Sequence, residues 1–292
     1  MHSPTISEIL DERNQSHAVR KKLILDLERN LKRPVLTFFT SFVYPVMVDD
    51  SDADMLEGLL TKADLSRGFA LFINSPGGSG LAAERILNIC RKYSGTKEYW
   101  TIVAGKAKSA ATMICFGASK IMMGPASELG PVDTQITKTE NGEQKRFSVY
   151  HLIQSYEDLF QRAVKAQGNL QPYLQQLAHY DEREIREMRS ALELSEDIAI
   201  KALQTGMMNG EKPVDIKKKI QIFLTPEQTK THGRPIYADE TGKCGLTVEL
   251  LAADEKLWQL IHRLYARTNH LVSTGASKCI ESATQSFTVP AK

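Results

Sequence analysis

Hydrophobic and polar positions along the chain alternate between two periods. Residues 35–42, Val-Leu-Thr-Phe-Phe-Thr-Ser-Phe, are β-branched and aromatic, a strand by composition. Residues 50–62 open on a run of aspartates suited to the positive end of a helix. Residues 68–74 read as the next strand, and 80–93 as a helix with Ala83, Ile86, Leu87 and Cys90 on one face. A strand at 99–104 follows. The helix after Ser109 carries Ala110, Ala111, Ile114, Cys115 and Ala118 on its apolar face, and 120–123 is a further strand. Strands alternating with helices predict a layered α/β fold with a mainly parallel sheet.

The flanks read differently. Residues 7–31 carry Ile9, Leu10, Val19, Leu23, Leu25 and Leu27 amid dense charge, which predicts an amphipathic helix ended by Pro34. This segment, 1–32, lies either on a partner subunit or over its own domain. Residues 124–142, rich in Gly, Pro, Asp and Thr, read as a loop near the site with an exposed tip at 140–142. In 148–166, Val149, Leu152, Ile153, Tyr156, Leu159, Phe160 and Ala163 share one helical face. A long helix is predicted over 181–205 with Gly206 at its C-cap, a short one over 213–224, a strand at 244–248 and a last helix over 250–267. The main domain is therefore placed at 33–268. The tail, 269–292, is rich in Ser, Thr and Ala from Val272 on and is expected to be disordered.

Composition narrows the function classes. With 292 residues, 42% of them hydrophobic, the chain can bury a substantial core, and its net charge of +2 demands neither nucleic acid nor an anionic membrane. No leader-like run stands at the N-terminus, and no stretch approaches the roughly 18 apolar residues of a membrane span. A soluble, cytoplasmic protein is expected. Its four cysteines, Cys90, Cys115, Cys244 and Cys279, lack metal-ligand spacing and read as reduced thiols. There is no HExxH, paired-carboxylate, Walker or GxGxxG pattern, so no metal or nucleotide cofactor is called for.

Two motifs carry chemistry. Phe72-Ile-Asn-Ser-Pro-Gly-Gly-Ser79 offers glycine amides at a turn, and Ala107-Lys-Ser-Ala-Ala-Thr-Met113 offers a hydroxyl at a helix start. An attacked carbonyl becomes a tetrahedral oxyanion, which fixed backbone N–H groups stabilise without reorganising. Gly77 and Gly78 let a substrate approach their amides, and the Ala110 N–H at the helix N-terminus is a natural second donor. The same strings also serve as plain turn and N-cap chemistry.

Ile73-Asn-Ser-Pro-Gly-Gly78, the alanine-rich Ser109 helix and Gly124-Pro-Ala-Ser-Glu-Leu-Gly-Pro-Val-Asp133 resemble the serine dehydrogenase proteinase family. That family belongs to a wider group containing ClpP peptidases, the signal peptide peptidase SppA and the crotonases. The resemblance runs from about Lys22 to about Leu251. It implies a spiral of repeated ββα units with additional C-terminal helices, Ser109 as nucleophile, and an oxyanion hole from Gly77, Gly78 and Ala110. It also implies a homo-oligomer acting on peptide or unfolded protein, with an activator protein as a further candidate partner.

The general base stays open at this level. Asp133 stands in the region where ClpP has its catalytic histidine, and Asp133 either orients a base or binds substrate. His232 precedes the closing strand, roughly where ClpP places its catalytic aspartate, and an imidazole titrates near neutrality. Lys145 stands where SppA-like Ser-Lys enzymes carry their lysine, but its setting, Gln144-Lys-Arg146, is polar, whereas a lysine base needs desolvation. Lys108 adjoins Ser109, too close in sequence to turn back easily to its hydroxyl. His151 and His179 lie on or beside predicted helices. A crotonase-like acyl-CoA enzyme and a non-catalytic or latent scaffold are the rival classes.

Overall fold

A computed structural model describes residues 17–95, 98–140 and 143–291. The first part of the expected N-terminal helix, 7–16, and most of the expected loop tip, 141–142, lie outside the described residues. In chain order the first elements are α1 (His17–Leu31), β1 (Val35–Thr40), α2 (Asp50–Leu60), β2 (Phe69–Asn74), α3 (Gly80–Ser94) and β3 (Tyr99–Val103). The short β4 (Lys106–Ala107), α4 (Ala110–Phe116), β5 (Lys120–Met123) and β6 (Glu128–Leu129) follow.

A hairpin of β7 (Gln135–Glu140) and β8 (Glu143–Ser148) leads into α5 (Val149–Lys165), α6 (Gln171–Leu177) and α7 (Glu182–Gln204). Four short helices come next: α8 (Pro213–Lys219), α9 (Gln221–Leu224), α10 (Pro226–Thr229) and α11 (Ala238–Lys243). The chain closes with β9 (Val248–Leu250), α12 (Lys256–Thr274), β10 (Ala276–Glu281) and β11 (Ser286–Pro290).

Seven strands form the central sheet in the order β11-β10-β1-β2-β3-β5-β9. The run from β1 to β9 is parallel, whereas β10 pairs antiparallel with β1 and β11 antiparallel with β10. Strands β1 and β2 are buried along their whole length, as parallel strands covered on both faces must be. Their alternation builds two cores. Leu36, Phe38, Leu71 and Ile73 face one side and meet Leu56 of α2, Ile86 of α3 and Ile114 of α4. Val35, Phe39, Ala70 and Phe72 face the other side and meet Ile24 and Leu27 of α1 together with Ile261 and Leu264 of α12.

A smaller ladder lies beyond the ends of the central strands. Ser75 pairs with Ala107, β4 with β6, and Leu129 with Ile236, while Val48 pairs with Gly78. Helices α5 and α7 close a separate small core of Val149, Ile153, Ile185 and Met188.

The tail departs from expectation. Residues 276–281 and 286–290, inside the segment expected to be disordered, are strands, and every residue of β10 is buried. The reason is charge compensation from far away in sequence. Lys278, 3% exposed, binds Asp52 at 2.8 Å and Asp49 at 2.7 Å, and Glu281 takes a bidentate pair from Arg20 at 2.7 and 2.9 Å. Buried charges are tolerated when paired in this way. Asp49 and Asp52 also form the capping box of α2, so the aspartate run that opens the helix serves the tail as well.

Three further boundaries differ. The expected loop 124–142 contains β6 and β7, because Gln135, Thr137 and Thr139 alternate in a two-stranded ribbon with little apolar content. Residues 248–250 join the sheet edge, so the last helix starts at Lys256 and runs on to Thr274. Helix α6 carries no buried residue, which leaves no periodic stripe to read.

Candidate active site

Strand β2 delivers the glycine turn. Buried Ser75 accepts hydrogen bonds from Thr40 Oγ1 at 2.5 Å and from the Gly77 N–H at 3.1 Å. The Val48 N–H donates to Gly77 O and the Ser79 N–H to Val48 O, both at 2.9 Å, which pins the turn from its outer side. Gly77 has φ of 97°, a region that favours glycine. A Cβ there would stand 2.6 Å from Lys108 O and 2.8 Å from Ser109 Cβ, so glycine is what lets the two motifs touch. Among the described residues the Gly78 and Ala110 amides take part in no hydrogen bond, whereas the Gly77 amide is engaged by Ser75.

Ser109 sits between β4 and α4 with φ of 51° and ψ of −119°. A positive φ at a non-glycine residue costs about 1–3 kcal/mol and persists only where the surroundings enforce it. Here they do. Ser75 N–H donates to Lys106 O at 2.9 Å and Lys108 N–H to Ser75 O at 3.0 Å, sewing the serine turn to the glycine turn. Every residue of α4 is buried. Although Ser109 is the N-cap, its side chain makes no capping bond, so among the described residues the half-buried hydroxyl is unengaged at the helix N-terminus.

Lys108 points away into the protein. Its ammonium binds Glu128 at 2.9 Å and Leu129 O at 3.0 Å. Burial pushes it down from the ordinary lysine value, with Glu128 opposing the shift. Thr112, one turn after Ser109, accepts from the Gly130 N–H at 3.1 Å and donates to Gly130 O at 2.9 Å. The segment after β6 is thereby fastened to the serine helix.

That segment brings in the next two groups. Leu129 pairs antiparallel with Ile236 in an isolated bridge, Val132 N–H is tied to Phe223 O, and His232 lies in the turn closed by the Arg234 N–H to Thr231 O bond. The two side chains meet: His232 Nδ1 lies 2.7 Å from Asp133 Oδ1, with the carboxylate 0% and the imidazole 18% exposed. Asp133 Oδ2 accepts from Gln135 Nε2 at 2.8 Å and from Ser148 Oγ at 3.4 Å. Among the described residues no hydrogen bond joins Ser109 to His232.

The other sequence candidates lie elsewhere. Lys145 is exposed on β8, opposite Lys138, in a setting that does not supply the desolvation a lysine base needs. His151 is exposed on α5, edge-on to Tyr150, and His179 is exposed between α6 and α7. Sequence reasoning missed Thr40, Ser75 and Gln135, which act through hydrogen bonds to the turn and to Asp133. The serine in the Asn-Ser-Pro-Gly-Gly string was the one available signal.

A serine on a strained strand-to-helix turn, beside the unengaged Gly78 amide, is a geometry of the kind that serine hydrolases use. Residues 13–147 match the family model described as ClpP-like SDH-type serine proteinase, the same family that the motifs resemble. The match takes in the glycine turn, Ser109 and Asp133 and ends before His232. No curated protein matches the chain.

Proposed function

We propose that the protein is a serine peptidase that hydrolyses peptide bonds through an acyl-enzyme on Ser109. The observation that carries this reading is the unengaged Ser109 hydroxyl, held at positive φ against the turn whose Gly78 amide, with that of Ala110, is free. His232 is the general base. Its Nδ1 faces Asp133, which leaves Nε2 to take the Ser109 proton as Oγ bonds to the carbonyl carbon. The oxyanion then accepts from Gly78 and Ala110. Imidazolium returns the proton to the leaving amine, the C–N bond breaks, and water repeats the sequence to free the acid and Ser109.

Gly77 contributes clearance between the two turns in this scheme, its own amide being bound to Ser75. Compared with the ClpP pattern, the aspartate and histidine have exchanged places along the chain. Catalytic hydrogen bonds often tighten only once substrate binds, so the serine–histidine contact belongs to the loaded state. Helices α2, α3 and α4 all pack on one face of the sheet, which supports the spiral of repeated units. The substrate is a peptide or unfolded protein, and the working form is a homo-oligomer with an activator protein as its cellular partner. Four buried free thiols suit a reducing, cytoplasmic setting.

Two other readings differ in what they require of Ser109. A latent or non-catalytic scaffold needs no base beside it. A crotonase-like acyl-CoA enzyme uses paired amides without a reactive serine. Labelling of the purified protein with a fluorophosphonate probe separates them, with Ser109→Ala, His232→Ala and Lys145→Ala alongside. The peptidase reading expects label that vanishes in Ser109→Ala, falls steeply in His232→Ala and survives in Lys145→Ala. Absence of label in the wild type in every assembly state would remove it.

A further inference from the structure

Asp133 is a fully buried carboxylate that faces an imidazole, and its two oxygens have separate duties. Oδ1 meets His232, while Oδ2 receives Gln135 Nε2 at 2.8 Å and, more loosely, Ser148 Oγ at 3.4 Å. We infer that Gln135 is a positioning residue, which fixes the plane of the Asp133 carboxylate so that Oδ1 addresses His232 Nδ1. This rests on the reading of His232 as base, and it adds the device that orients that base.

The backbone around Asp133 fits such a role. The Val132 N–H donates to Phe223 O at 2.8 Å, Val132 O accepts from Ser195 Oγ at 2.6 Å, and Thr134 O accepts from the Val149 N–H at 3.0 Å. Both peptide neighbours are held, so the remaining freedom is rotation of the carboxylate about its own side-chain bonds. Side chains two residues apart on an extended segment share a face, which sets Gln135 beside Asp133. Gln135 is also the first residue of β7 and pairs with Ser148, the last of β8. The open end of the hairpin, where it joins Asp133 and α5, therefore presents two donors to one oxygen. A glutamine suits the place because its amide donates without adding a charge that would compete with His232 for Asp133.

The test uses the full chain and the variants Gln135→Met, Asp133→Asn and the two combined. Methionine keeps nearly the same length and loses the donor. One readout is the far-downfield proton resonance of His232 Nδ1, which needs no catalysis. In Gln135→Met this resonance is expected to move upfield and exchange faster, in protein held well below its thermal midpoint. The second is the fluorophosphonate labelling rate of Ser109, expected to fall about tenfold in Gln135→Met, as loss of a hydrogen bond to a charged group implies. The double variant is expected to label no more slowly than Asp133→Asn alone, because Gln135 acts only through Asp133. An unchanged resonance and rate in Gln135→Met, or additive losses in the double variant, would overturn the inference. If the wild type takes no label but the resonance responds to Gln135→Met, the peptidase reading falls and the positioning role stands. If label depends on Ser109 and His232 but not on Gln135, the positioning role alone falls.

Discussion

Replacing Gly77 by alanine tests how tightly the two turns are matched. The new Cβ would lie 2.6 Å from Lys108 O, 2.8 Å from Ser109 Cβ and 3.1 Å from Ala110 N, all fixed parts of the serine turn. Comfortable carbon contacts lie near 3.5–4.0 Å, so the turns must separate by about 1 Å. Neither turn can yield alone, because Ser75 bonds to Lys106 and Lys108 on both sides of Ala107. Displacing a nucleophile by about 1 Å from its partner groups costs about 100-fold in rate, or about 2.7 kcal/mol. Holding alanine at φ of 97° adds about 1–3 kcal/mol of strain against stability. The assay is the second-order rate constant for fluorophosphonate labelling, with urea denaturation in parallel. Gly242→Ala is the control, since a Cβ there meets nothing within 4 Å and lies inside helix α11. It should leave labelling unchanged and stabilise by up to about 1 kcal/mol. If Gly77→Ala labels at the wild-type rate, the close apposition of the turns plays no part in reactivity.

Ser75→Ala should unfold at lower urea, by about 1–3 kcal/mol, because buried Thr40 Oγ1 and the Gly77 N–H lose their acceptor; the labelling rate should fall with it. Lys278→Met leaves the Asp52 carboxylate buried without its cation and should cost about 3–5 kcal/mol in a denaturation curve. Truncation after Gly275 removes the strand that borders β1, and the product should be recovered as aggregate or degraded chain. The Glu281 carboxyl feels burial, which raises it, but the Arg20 pair and Ser286 hold it below its ordinary value of 4.5. Its contribution is therefore present above about pH 4.5 and is lost as pH falls through the depressed folded value. Unfolding free energy measured against pH should drop less steeply below pH 4.5 in Glu281→Gln than in the wild type.

Strands β1, β2 and β3 and helices α3 and α4 were legible because short periods suffice to mark them. A run such as Val-Leu-Thr-Phe-Phe-Thr or the Ala83, Ile86, Leu87, Cys90 stripe announces its element without reference to the rest of the chain. The glycine turn and Ser109 were marked by short motifs, although their conformations are held by bonds between segments about 30 residues apart, Val48 to the glycine turn and Ser75 to Lys106 and Lys108. The Asp133–His232 contact joins residues 99 apart, brought together by the Leu129–Ile236 bridge and the Val132–Phe223 bond nearby, which no local pattern encodes. The tail misled through its composition. Ala-Ser-Lys-Cys-Ile-Glu has no clear alternation, and its lysine and glutamate become buried only because Asp49, Asp52 and Arg20 wait for them more than 220 residues away.

The most direct measurement is intact-mass analysis of the protein after brief exposure to a small activated ester, followed by peptide mapping. Acylation at one site per chain, on the peptide containing Ser109, absent in Ser109→Ala and slowed in His232→Ala, is the predicted result. No adduct, or an adduct that persists in Ser109→Ala, would contradict the assignment of Ser109 as the nucleophile.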